Sequence, residues 1–195
     1  MKTAALSGFT DIVLNPNTHP VPDSSGDIVF LKNASRDFAT NLYPLGALTV
    51  KGQGEDLAEL FDMWNSGAVG YYDFKSPIKN SNLLKIALLY AQNSNGLVHS
   101  FPMDTALAGK GLVNEGEVAT SLGLKGIPVL AETLQIARDL FILEYTEGKL
   151  HIPTISSGAS VKLIADAKKK GLDVSCSVAL HNLFFDDGML QGFDS

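Results

Sequence analysis

One carboxylate and two histidines stand where a chain of alternating strands and helices would keep its chemistry. Asp73, His99 and His181 each lie at the end of a short apolar run, as do Asn15, Asn17, Thr49, Lys51, Lys75, Thr154 and Ser156. A carboxylate and imidazoles gathered into one ring could relay protons or hold a divalent metal. No two histidines stand at i, i+2 or i, i+4, the spacings that place two ligands on one face of a strand or helix. Each polar residue also has an ordinary structural use, because strand ends need caps and loop starters. Asp104, in a long loop, fits a turn. His19 precedes Pro20 in another loop, His151 begins an apolar run, and Cys176 lies inside one as a small buried residue. Ser156-Ser157-Gly158 precedes a helical pattern, where it would either hold an anion on helix N–H groups or act as an N-cap. The residues alone imply an α/β domain with a polar site and no complete catalytic constellation.

The elements that must position this ring follow one rhythm. Apolar runs at Thr10–Asn15, Asn41–Thr49, Ala68–Asp73, Gly96–Phe101, Leu150–Ile155 and Leu172–Ala179 read as strands. Helical periodicity falls between them, over Asp27–Ala34, Glu55–Asn65, Asn82–Asn93 (capped by Ser81), Pro128–Glu147 and Ala159–Lys170. A glycine-bearing loop from Pro102 to Gly126 is too long for a simple connection. Strict alternation predicts a parallel sheet with helices packed on it, either doubly wound or part of a (β/α) barrel. G-x-G-x-x-G and G-x-x-x-x-G-K-[ST] are both absent, which disfavours a nucleotide-binding open sheet. A full eight-stranded barrel usually needs about 250 residues, so six strands in 195 residues fall short of it. Both architectures place a site at the carboxyl ends of the strands.

Composition narrows the function classes. Hydrophobic residues make up 45% of the chain, enough for a buried core. Fifteen basic against 21 acidic residues give a net charge of −6, which argues against nucleic acid and anionic membranes as partners. One cysteine excludes a disulfide scaffold and fits a reducing compartment. With no spanning apolar run and no h-region at the start, the expectation is a cytoplasmic protein.

Four stretches are similar to the dihydroorotases of the amidohydrolase superfamily. They are GFTDIVLNPNTHPVPDS (Gly8–Ser24), LYPLGALT (Leu42–Thr49), LAGKGLVNEGEVATSLGLKGIP (Leu107–Pro128) and AETLQIARDLFILEYTEGKLHI (Ala131–Ile152). The P-N-T-x-P turn, the L-A-G-x-G-x-x-N-E-G loop and the G-L-x-G-I-P helix entry are together specific. The resemblance implies a partial (β/α)₈ TIM-type amidohydrolase barrel. Residues 1–195 would form a single domain carrying the second to seventh strands, with the first and eighth strand regions absent. It also implies a family that hydrolyses the cyclic amide of dihydroorotate in pyrimidine biosynthesis through a zinc-activated water.

Carried over residue by residue, the resemblance is unfavourable to that chemistry. Asp73 in GYYDF matches the family's fourth-strand ligand, and Asn17 matches the substrate-contacting asparagine of P-N-T. The fifth-strand histidine falls on Phe101, and the sixth-strand histidine falls on Thr154 of HIPTIS. His99 lies two residues before Phe101, on the same strand face but one pleat deeper. Neither phenylalanine nor a neutral threonine serves zinc well. The expectation is a non-catalytic family member that binds no zinc itself. It would act within an assembly, either as a homo-oligomer or with aspartate carbamoyltransferase, the preceding pathway enzyme. The alternative is an active zinc-dependent dihydroorotase or related cyclic amide hydrolase in its full-length form, with His99 and Asp73 as ligands. Under the first expectation Phe101 would form an apolar plug. Unpaired edges are expected at the first and last strands, so that the chain by itself forms an open barrel segment.

Overall fold

In the computed structural model, residues 1–192 are described. A short helix, α1 (Lys2–Leu6), leads into β1 (Asp11–Leu14), which pairs in parallel with β2 (Asn41–Pro44), Asp11 opposite Asn41 and Leu14 opposite Pro44. Between them runs α2 (Ser25–Ala34), entered through a capping box of Ser24 and Asp27. Downstream, β3 (Val98–His99), β6 (Leu150–Ile152) and β7 (Val174–Cys176) form a second parallel ladder. Two single-residue bridges, Gly46 to Tyr71 and Tyr71 to Val98, join the ladders. The parallel run therefore follows chain order from β1 to β7. It does not close among the described residues, since β1 and β7 have no mutual pairing.

The third strand expected over Ala68–Asp73 is reduced to those bridges. Its backbone is nonetheless committed to the sheet. Tyr71 N–H donates to Leu97 O at 2.9 Å, Tyr72 N–H to Gly46 O at 2.9 Å, and His99 N–H to Tyr71 O at 2.8 Å. The second strand ends at Pro44, although Leu45 N–H still donates to Leu14 O at 3.0 Å and Pro44 O accepts from Val69 N–H at 3.0 Å. The helix expected from Glu55 begins only at Leu60 (α3, Leu60–Asn65), after the backbone has turned to pair Thr49 with Leu57. α4 (Ser81–Ala91) is capped by Asn80 and not by Ser81. The Asn80 side-chain oxygen accepts from the N–H groups of Asn82 (2.9 Å) and Leu83 (3.3 Å).

The long loop is structured. Asp104 caps α5 (Thr105–Ala108), accepting from Ala106 N–H at 2.8 Å and Leu107 N–H at 3.0 Å, so its turn role holds. β4 (Val113–Asn114) then pairs with β5 (Gly126–Ile127) around α6 (Glu117–Ser121). Gly126 is required there, because a Cβ would lie 2.6 Å from the Glu115 backbone. α7 (Leu130–Thr146) and α8 (Gly158–Lys169) complete the helical layer. Tyr71, Val98, Leu150, Ile152 and Val174 face that layer and meet Leu84, Leu88, Ile136, Leu143 and Ile164 in one buried core. That packing is the main source of stability, through apolar area removed from water. No helix among the described residues is long and apolar enough to cross a membrane.

Candidate functional site

Asp73 lies just past the Tyr71 bridges and is 3% exposed. Its Oδ1 accepts from Leu48 N–H at 2.9 Å and Thr49 N–H at 3.0 Å, and its Oδ2 accepts from Thr49 Oγ at 2.6 Å. Thr49 Oγ in turn accepts from Gly54 N–H at 2.8 Å. The carboxylate thus pins the turn that follows β2, where Lys51, Gly52 and Gly54 all have left-handed backbone. Burial pushes its pKa above the usual value, and the bonds from Thr49 and Leu48 oppose that shift. Lys75, a partner suggested by proximity in sequence, instead gives its N–H to Tyr72 Oη at 3.1 Å.

The face opposite the helical core carries a histidine pair. His99 and His151 are register partners across β3 and β6, with ring centroids 4.9 Å apart. Tyr72 lies against the other side of His99, at 5.6 Å. His151 Nδ1 meets Ser175 Oγ at 2.8 Å, and its Nε2 meets Ser177 Oγ at 3.1 Å. Among the described residues, His99 Nδ1 is buried with no hydrogen-bond partner. Burial, with His151 beside it, pushes the His99 pKa down to about 4, and burial lowers that of His151. Both rings are therefore neutral at pH 7. Sequence reasoning set His151 apart as the start of a strand. The matching contexts LVHS and KLHI held the missing signal, since parallel pairing of two such strands places both histidines on one face.

The other expected site residues do not join this cluster. Phe101 is half-buried, past the end of β3, and Thr154 is exposed, with left-handed backbone at φ 54°. Asn17 is exposed in the turn after β1, behind the buried Pro16. His181 sits on an exposed turn at Leu180–Leu183. Cys176 is half-buried in β7.

A second buried carboxylate escaped the sequence reading. Glu132 of α7 reaches the loop before α8, where its oxygens accept from Ser156 N–H (3.0 Å), Ser157 N–H (3.1 Å), Ser156 Oγ (2.6 Å) and Ser160 Oγ (2.5 Å). Burial opposes ionisation, but the bonds from Ser156, Ser160 and Ser157 outweigh it and hold the carboxyl below its usual pKa. Ser157 Oγ also caps the helix by accepting from Ser160 N–H at 3.1 Å. The N-cap reading of Ser156-Ser157-Gly158 is thus realised by Ser157, while Glu132 takes the N–H groups of the loop just before the helix and not those of the helix itself. Asp139, one helical stretch later, is buried against Ser100 Oγ (2.6 Å) and Arg138 (2.6 Å).

The dihydroorotase-like family model matches residues 1–160. The chain belongs to the dihydroorotase-like family. It is 41% identical to the dihydroorotase of Pelotomaculum thermopropionicum and 38% identical to that of Geotalea daltonii. Those alignments cover 100% and 98% of the chain but 45% of each relative, so the chain spans about half the length of the curated relatives it matches. Among solved structures it is similar to the L-hydantoinase of Arthrobacter aurescens, with a TM-score of 0.73 at 19% identity over 91% of the chain and 41% of the hydantoinase. That likeness shows the fold, a segment of an amidohydrolase barrel.

The family is one of metal-dependent amidohydrolases, and the residues described here do not fit such a centre. No group of three or more His, Cys, Asp or Glu side chains among them is arranged to hold a metal ion. Both oxygens of Asp73 are already engaged, and both nitrogens of His151 are paired with serine hydroxyls. Among the described residues His99 Nδ1 is buried without a partner, and one imidazole is too few for a zinc site.

Proposed function

We propose that this chain is a non-catalytic dihydroorotase-family protein that does not hydrolyse dihydroorotate through a zinc-bound water. The observation that carries the reading is the state of Asp73. A buried carboxylate with three of its roughly four acceptor sites committed to two backbone N–H groups and a hydroxyl is held as a structural pin and offers a metal little. Phe101 and Thr154, at the positions where the resemblance calls for histidine, point the same way. On this reading the retained scaffold serves an assembly in pyrimidine biosynthesis, with aspartate carbamoyltransferase as its partner.

A second reading, zinc-dependent hydrolysis of dihydroorotate or a related cyclic amide by a longer form, is favoured by the unpartnered His99 Nδ1. Turnover separates the two. The longest natural chain, supplied with zinc, is assayed for dihydroorotate hydrolysis and for the reverse cyclisation. The proposal expects rates no higher than those of a zinc-only control. Saturable hydrolysis that disappears on chelation would overturn it.

A further inference from the structure

Two cations of this acidic chain line a groove with no acid paired to either. Lys32 of α2 and Arg36, in the turn after it, border a cavity of about 260 Å³ together with Phe38 and with Asn41 and Tyr43 of β2. The ion pairs among the described residues use Arg138, Lys149, Lys169 and Lys170, and neither Lys32 nor Arg36 takes part in one. Lys32 Nζ stands over the Tyr43 ring, 5.8 Å from its centroid. Phe38 and Tyr43 are 39% and 37% exposed, so both rings keep free surface.

The ordinary uses of such residues do not account for them. A basic side chain at a helix C-terminus commonly answers the last carbonyls. Here the turn closes them itself. Lys32 O accepts from Ser35 N–H at 3.3 Å and from Ser35 Oγ at 3.0 Å, Asn33 O accepts from Arg36 N–H at 3.3 Å, and Ser35 O accepts from Phe38 N–H at 3.3 Å. The acids closest along the chain and across the strand pair, Asp37 and Asp11, do not line the groove. Asp11 is held by its register partner Asn41, whose side-chain N–H donates to it at 2.9 Å. The neighbours of these elements are also present, since β1 pairs with β2 and α2 packs on α3. The groove lies at the amino end of β2, while Asp73 holds the turn beyond that strand's other end.

We propose that this groove binds a small phosphate monoester that carries a planar ring. Two observations select that class. The first is charge. A phosphate monoester carries about −1.5 to −2 near neutral pH, which matches one ammonium and one guanidinium. Arg36 offers a planar fork to two phosphate oxygens, and Lys32 adds a compact charge. A cleft lined by one sign of charge concentrates its field, so a chain of net charge −6 still attracts an anion there. Asn41 has a second amide N–H for a phosphate oxygen. The second is shape. The cavity is larger than an inorganic phosphate fills, and lies just below the range of about 300–1,000 Å³ typical of pockets for larger ligands. Its remaining wall is the apolar surface of Phe38 and Tyr43, on which a flat ring packs. The inference does not depend on whether the protein hydrolyses dihydroorotate.

Isothermal titration of the longest natural chain with phenyl phosphate, inorganic phosphate and benzyl alcohol tests it. The expected result is saturable binding of phenyl phosphate, at least about tenfold tighter than inorganic phosphate, with no binding of benzyl alcohol. Lys32→Ala/Arg36→Ala should weaken phenyl phosphate by more than about tenfold, while Lys162→Ala on α8 leaves it unchanged. Should the double variant fail to fold, Arg36→Lys, which keeps the charge and loses the fork, should still weaken binding by a few fold, on the order of threefold. Absence of phenyl phosphate binding would overturn the inference. So would binding that survives loss of both cations, or inorganic phosphate that binds as tightly as phenyl phosphate.

Discussion

Replacing Asp73 distinguishes a structural pin from a metal ligand. In Asp73→Ala, the N–H groups of Leu48 and Thr49 lose their acceptor at positions that are fully buried. A buried unsatisfied donor costs about 1–3 kcal/mol, so the two together cost about 4 kcal/mol. Asp73→Asn keeps Oδ1 for both donors. Its amide can donate to Thr49 Oγ, which has a second lone pair beside the bond from Gly54 N–H. The variant also removes a buried charge, so its net cost is about 1 kcal/mol or less. Urea unfolding at neutral pH, with and without zinc, reads both values at constant m. A zinc ligand would behave in the opposite way. Zinc would stabilise the parent by mass action, and Asp73→Asn would lose that gain. The reasoning is refuted if Asp73→Asn falls as far as Asp73→Ala, or if zinc raises the urea midpoint of the parent but not of Asp73→Asn.

Two further outcomes follow from the buried groups. His99 is neutral when folded down to about pH 4, against 6.5 for a free histidine. The unfolded chain therefore binds the extra proton in that window, and stability falls as pH drops from about 6.5 to about 4, by up to about 3 kcal/mol. Asp73 and Asp139, whose folded pKa values are raised by burial, act with the opposite sign as pH falls through those values. Urea midpoints against pH should slope less for His99→Phe than for the parent, and parallel slopes would contradict the assignment. Glu132→Ala should lower stability by about 2–4 kcal/mol, because it strips the acceptor from Ser156 and Ser157 N–H and from two hydroxyls. Glu132→Gln, which keeps one acceptor oxygen, should cost less, and thermal unfolding of the pair checks the order.

The alternation of apolar runs and helical periods was enough to read a parallel sheet with helices packed on it, while the sequential order of a barrel segment rested on the resemblance. What it could not show was how little of each strand forms a ladder. The segment around Tyr71 looks like a strand in sequence, yet it contributes single bridges, and the turn at Phe74–Lys75 ends its extended stretch. Asp73 was visible as a candidate, but its engagement by Thr49 was not, since those partners lie 24 residues apart. The His99–His151 pair depends on register across strands 52 residues apart, which local periodicity does not encode. Glu132 was hidden for a different reason. A glutamate in the first turn of a helix reads as a favourable dipole charge, and only the folded chain brings it to the Ser156–Ser160 loop.

Zinc content is the most direct test of the central claim. The longest natural chain is loaded with zinc, dialysed and analysed by elemental mass spectrometry beside its Phe101→His/Thr154→His variant. The account predicts that the natural protein retains little zinc and that the variant retains more. Near-stoichiometric zinc on the natural protein, unchanged by the two substitutions, would contradict it.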